Sequence, residues 1–238
     1  MATILQIAQD SALAVSLNRP DTLFPTYDEG DMSAADLLRA ITACTRDLRD
    51  GYDWSVSKAR HTFTALAAEV QASKLPSDFK RVVPDTFWNT GIRQKVCGPL
   101  TDDEYAEIKG GVLSMVTPHF HMQGGDLIIV PAPTTSDTFA FTYIRTAIGR
   151  DSDSVRLAAF TEDTDVPLWD EELMIAGAIY FYRKAKAYDA QQAYLDYEKL
   201  RRDNIKRDGG GRIIRMGQPS NGADEMVRKM KQAVIFAS

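Results

Sequence analysis

Between residues 166 and 208 the apolar positions change pattern once, and that change orders the reading of the whole chain. From Leu173 to Tyr182 (LMIAGAIYFY) every side of a helix would be apolar, a pattern that means burial all round. From Arg183 onward only a stripe persists. Met174, Ala178, Phe181, Ala185, Tyr188 and Leu195 recur at helical spacings, and the opposite face is charged. The segment predicts one helix from near Pro167 to about Asp208. Proline is tolerated in a first turn, and Asp170, Glu171 and Glu172 suit the positive end of the dipole. Arg201, Arg202, Lys206 and Arg207 suit the other end, and Gly209, Gly210 and Gly211 stop the helix. At about 1.5 Å per residue it would be roughly 60 Å long. Its first half is expected at the centre of a core, and its second half is expected to project.

Two earlier stretches fit against that buried half. Thr3 can cap a helix carrying Ile4, Leu5, Ala8, Ala12 and Val15, which ends before Pro20. Residues 20–31 read as a loop. Ser33 with Asp36 resembles a capping box, opening a helix with Leu37, Leu38, Ile41, Thr45 and Leu48 that Gly51 stops. A three-helix core buries all three faces. Between these helices the texture turns to β. Residues 54–66 alternate loosely as a strand, 75–83 read as a turn and a short helical piece, and 93–97 as a short strand. Thr101 with Glu104 caps a short helix ending at Gly110–Gly111. Gly124–Gly125 forms a two-residue hairpin turn. Phe139, Phe141 and Tyr143 alternate along a further strand, which Pro131 and Pro133 keep apart from the hairpin ladder.

The expected class is therefore α+β, a helical bundle with a long C-terminal helix, a β-rich insert and an extended C-terminal arm. The divisions fall at 1–51 and 148–208 for the helical core, 52–147 for the insert and 209–238 for a flexible arm. The arm opens on GGGRIIRMGQPSNG, too rich in glycine and turn residues to hold a fold alone. It nevertheless keeps Ile213 and Ile214 between Arg212 and Arg215, then Met226, Met230 and Val234 on one stripe of a short terminal helix. Those seven residues are the candidate contacts with a partner.

Composition narrows the function classes. The chain has 238 residues, about one and a half typical domains, and its formal net charge is −5 with no long run of either sign. Nothing in that balance points to a surface built on phosphate contacts. Cys44 and Cys97 stand far apart, which excludes a disulfide framework and makes a reducing compartment the default. No signal peptide or membrane span is expected. His119 and His121 flank Phe120, and Asp126 lies across the turn, but a metal site needs further ligands and the only other histidine is His61. There is no GxSxG, GxxxxGK[ST], GxGxxG or HExxH. The acids at 102–103 and 171–172 occupy helix first turns, where the dipole favours them. Catalytic residues, cofactors and metals are accordingly not expected. Trp88 and Asn89, in DTFWNTG, are consistent with either packing or binding.

Several pieces in order carry a resemblance: TILQIAQDSALAVSL, RDGYDW, LPSDFKRVVPDTFWN, CGPLTDDEYAEIK, GGDLIIVPAPTTSDTFAFTYI, AFTEDTDVPLWDEELMIAGAIYFYRKAKAYD and the DGGG stop. Together they resemble the head-to-tail adaptor (head-completion or connector) proteins of short-tailed bacteriophages. The resemblance implies a virion structural protein at the head–tail junction, assembled in the host cytoplasm. It implies a ring, usually of twelve, beneath the portal protein, with a tail tube or nozzle protein below. DNA would pass through the channel without specific binding, and no membrane would be involved. Two other classes compete: a small metal-dependent or hydrolytic enzyme using His119, His121 and Asp126, and a non-viral scaffold whose tail binds one partner.

Overall fold

A computed structural model describes residues 2–24, 32–111 and 117–209. The described chain is α+β, with helices and several antiparallel sheets. Its elements run α1 (Ile4–Ala14), α2 (Met32–Gly51), β1 (Lys58–Thr64), β2 (Phe79–Val82), β3 (Trp88–Asn89), β4 (Gln94–Lys95), α3 (Asp102–Lys109), β5 (His119–Gln123) and β6 (Asp126–Val130). They continue with β7 (Thr138–Arg145), β8 (Gly149–Arg150), β9 (Arg156–Leu157), β10 (Val166–Pro167), α4 (Glu171–Ala185) and α5 (Gln191–Gly209).

The expected single helix over 167–208 is two helices. Asp170 caps α4, its Oδ1 accepting from the amides of Glu172 at 3.1 Å and Leu173 at 3.4 Å. Past Ala185 the chain turns off. Ala187 takes φ 55° and the Tyr188 amide donates to the Arg183 carbonyl at 2.9 Å. A positive φ is uncommon for a residue with a Cβ, so no glycine marks this break. Asp189 then accepts from the Gln191 amide at 3.1 Å and α5 begins. The second half does not project. It packs on α4, with Tyr197 stacked on Tyr180 at 5.9 Å and its hydroxyl donating to Asp47 of α2 at 2.8 Å. The break also shifts the helical phase. Tyr188 and Leu195, expected on the buried stripe, are 61% and 52% exposed, and Ala193 and Tyr197 take the core positions.

By contacts the described residues fall into two compact units. The first holds 2–24, 32–61, 76–83 and 141–209. Thr3 caps α1, accepting from the Gln6 amide at 3.3 Å while Gln6 Oε1 accepts from the Thr3 amide at 3.0 Å. Helix α2 is already running at Met32, so Ser33 lies inside it and is not the boundary that its resemblance to a capping box predicted. Leu37, Ile41 and Leu48 meet Ile4, Ile7 and Ala8 of α1 and Leu173, Met174 and Ala178 of α4 in one buried cluster. The three-helix core is thus present, with α5 added as a fourth member through Tyr197. Asp163 ties a later loop to the start of the chain, accepting from Thr22 Oγ1 at 2.6 Å and the Leu23 amide at 2.7 Å. Residues 79–82, expected to be helical, form β2 because they pair antiparallel with the far half of β7 (Arg81↔Ile144, Val82↔Tyr143). A small sheet of order β10-β8-β9 completes the unit.

The second unit holds 62–75, 84–111 and 117–140. Its hairpin β5–β6 turns at Gly124 (φ 62°) and Gly125 (φ 90°), the positive φ pair that a primed turn demands. Phe63 and Phe87 pack on Phe139 of the near half of β7, at 5.7 and 5.8 Å between ring centres. That half of β7 pairs with β3, while the β5–β6 ladder stays a separate sheet. Thr101 and Glu104 form the expected capping box of α3.

Gly177 marks a close approach of helices in the first unit. A Cβ there would overlap Cys44 Sγ of α2 and come within 3.1 Å of Tyr197 Cε2 of α5. Gly177→Leu is expected to lower the unfolding free energy by about 1–3 kcal/mol or more, the usual cost of overpacking, measured by urea denaturation. An unchanged midpoint would contradict the packing described.

Candidate functional site

The partner-contact candidates Arg212, Ile213, Ile214, Arg215, Met226, Met230 and Val234 lie outside the described residues. The histidine candidates do not. His119 and His121 sit on β5 opposite Val130 and Ile128, whereas Asp126 pairs with Gln123 at the hairpin end and is exposed. Each imidazole Nδ1 is occupied by a backbone carbonyl, Thr117 O at 2.8 Å for His119 and Leu100 O at 2.9 Å for His121. The His121 ring stacks on Tyr105 of α3 at 4.7 Å and 11°. Its buried Nε2 lies 3.3 Å from Asp102 Oδ1 without hydrogen-bond alignment. The pair therefore does not converge with Asp126. Among the described residues no three His, Cys, Asp or Glu side chains are grouped to hold a metal.

What this cluster does is attach α3. No residue of that helix is buried, so its hold on the unit comes from the Tyr105–His121 stack and an ion pair between Lys109 and Glu69. Cys44 is sealed in the helical core, where burial first and Asp47 second push its thiol far up from its ordinary value. A neutral, enclosed thiol is a poor nucleophile. Cys97 contributes its backbone, donating to Pro118 O at 3.0 Å and accepting from the Phe120 amide at 2.9 Å.

Trp88 and Asn89 take different roles. Asn89 is buried. Its Oδ1 accepts from the amides of Gly91 at 3.1 Å and Ile92 at 3.4 Å, and its Nδ2 donates to Asp137 at 3.0 Å. The Thr90 amide donates to Thr138 O at 2.7 Å. These bonds fix a β3–β4 turn that holds Trp88 and Ile92 outward, 44% and 63% exposed. A rigid projecting tryptophan suits a contact with another macromolecule, since little entropy is lost on binding. A second surface feature is the cleft of about 240 Å³ that the break after α4 opens between Ala14, Ile179, Arg183, Gln192 and Asp196.

Sequence reading passed over Arg145, Arg150 and Arg156, which the end of β7 and the β8–β9 ribbon gather in the first unit. The signal available was a pair of arginines bracketing the turn-forming run DSDS. No helix among the described residues is long and apolar enough to cross a membrane. No protein-family model matches the chain, and no curated protein matches its sequence.

Asp137 is held below the ordinary carboxylate value of 3.8 by hydrogen bonds from Asn89 first and the Thr134 amide second, against a smaller opposing effect of burial. A carboxyl whose folded value is depressed adds stability that is present above its unfolded value and lost as pH falls through the folded one. Asn89→Ala also strands two turn amides. The expected cost is about 1–3 kcal/mol at pH 7, with the gap to wild type narrowing below the ordinary carboxylate value as both chains lose the Asp137 contribution. Urea denaturation across pH checks this, and a gap independent of pH would contradict it.

Proposed function

We propose that this chain is a head-to-tail adaptor of a short-tailed bacteriophage, a ring-forming virion protein that joins the portal to the tail and extends the DNA channel. The observation that carries the reading is how the resembling pieces fall on the elements. TILQIAQDSALAVSL covers α1 and its cap, RDGYDW closes α2, and CGPLTDDEYAEIK is a turn and α3. GGDLIIVPAPTTSDTFAFTYI is the hairpin turn with β6 and β7, and the stretch from Val166 to Asp189 runs from β10 through α4 to the cap of α5. Most of these pieces carry an element or its boundary, and the β-rich portion lies between the helices in the order the resemblance implies. The outward Trp88, Ile92, Tyr188 and Leu195 supply apolar surface of the kind that contacts between subunits and with neighbours use.

In this reading the partners are other copies of the chain, the portal protein and a tail tube or nozzle protein, with DNA passing through. Arg212, Ile213, Ile214, Arg215, Met226, Met230 and Val234 form the portal contact. Native mass spectrometry and negative-stain imaging of the full chain with its portal are expected to show a closed ring, usually of twelve copies. Deleting 209–238 is expected to abolish portal binding and leave thermal stability nearly unchanged. A chain that stays monomeric beside the portal would contradict the proposal.

A further inference from the structure

We propose that the β3–β4 turn of one copy, led by Trp88 and Ile92, seats in the α1–α4–α5 cleft of a second copy. Each half of this contact lies within one unit, the turn in the second and the cleft in the first. The turn keeps its shape without its two largest side chains. Asn89 fills its inside, and the Thr90 amide and Oγ1 both donate to Thr138 O, at 2.7 and 2.9 Å. Arg93 closes it at φ 55°, a left-handed conformation that is strained for a residue with a Cβ. Trp88 and Ile92 are left outside, and the exposed Arg93 guanidinium has no partner among the described residues.

The cleft is the matching half. Its apolar lining is Ala14, Ala176 and Ile179, and the exposed Leu13 adjoins it. At about 240 Å³ it has room for one large ring, since an apolar cavity of about 150 Å³ already holds benzene. Two charged groups line it. Arg183 is half-buried, and its guanidinium meets no carboxylate or ring among the described residues. Asp196 accepts from Gln192 Nε2 at 3.0 Å through Oδ1, which leaves Oδ2 for a further donor.

Turn and cleft complement each other in charge as well as in shape. An indole in the cleft gives Arg183 a ring face to stack on, a pairing that tryptophan serves best. The Arg93 guanidinium, five residues beyond Trp88, gives Asp196 a cation. A tryptophan anchor with a neighbouring arginine is also the composition that dominates binding energy at interfaces. One chain carries both halves, so a second copy supplies what the first lacks. Such a contact is heterologous: it joins different patches of the two copies, and it builds a ring where the rotation closes. The inference rests on the adaptor reading only for that closure.

The test uses the full chain, with association followed by sedimentation velocity and native mass spectrometry over a concentration series. Trp88→Ala with Ile92→Ser blunts the turn, and Gln192→Trp with Asp196→Arg obstructs the cleft from two exposed positions. Each variant is expected to raise the concentration of half-association at least about tenfold. At dilutions where wild type is monomeric both should melt with wild type, which a merely structural role would not allow. Mixed one to one, the two variants are expected to give heterodimers and nothing larger, since one intact turn and one intact cleft remain. A wild type that stays monomeric throughout, a variant that associates like wild type, or a mixture without heterodimers overturns the proposal. So does a turn variant that self-associates normally but loses a portal or tail protein, which assigns Trp88 to that partner. Wild type that stops at a two-fold dimer through this contact keeps the proposal and removes the ring reading. A ring that neither variant disturbs does the reverse.

Discussion

Three helices meet at a point where only a glycine fits, and the first unit is arranged around that contact. At Gly177 the backbone of α4 approaches Cys44 of α2 and Tyr197 of α5 so closely that a Cβ would overlap the Cys44 sulfur. Close approach brings Tyr197 under cover, and its phenol is pushed up by burial first, then by Cys44 and the bond to Asp47. The phenol hydroxyl thus stays a hydrogen-bond donor, bonded to Asp47 at 2.8 Å. Asp47 and Glu198 hold the Arg201 guanidinium at 3.7 and 3.0 Å. Through Asp47 these contacts tie α5, which packs on α4, to α2 as well, and near its end Asp208 accepts from the Ser55 amide at 2.8 Å. The seat of α5 against α4 and α2 therefore depends on the missing methyl group at Gly177.

Strand β7 does a comparable service for chemistry at the surface. Its far half pairs with β2 and ends at Arg145, from which a short connection leads to the β8–β9 ribbon with Arg150 and Arg156. Its near half pairs with β3, where Asn89 and Asp137 lock the turn that presents Trp88. One unit offers opposed cations, and the other offers a rigid aromatic.

Local rules carried much of the fold in the sequence. The Thr101–Glu104 box, the Gly124–Gly125 turn and the cap at Thr3 all depend on residues within a few positions of one another, and all are where those rules put them. The failures have other causes. The break at Ala187 uses a positive φ on a residue that seldom adopts it, and its one local sign, Asp189 ahead of Gln191, was hidden inside an unbroken helical pattern. Residues 79–82 became a strand because β7 lies beside them, a pairing across more than half a hundred residues that no local window contains. The histidines looked like a pair because alternation puts them on one face, but their nitrogens were already engaged by carbonyls of 100 and 117. The arginine cluster escaped notice because charge counted along the chain does not register a cross-strand partner.

A double-mutant cycle at the helix junction tests the central claim most directly. Gly177→Ala, Cys44→Ala and the pair together would be compared by urea denaturation. If the two helices are in contact as described, Gly177→Ala is strongly destabilising alone and much less so once the Cys44 sulfur is gone, with a coupling of about 0.5–3 kcal/mol. Additive effects, with Gly177→Ala costing the same whether or not Cys44 carries its sulfur, would contradict the account.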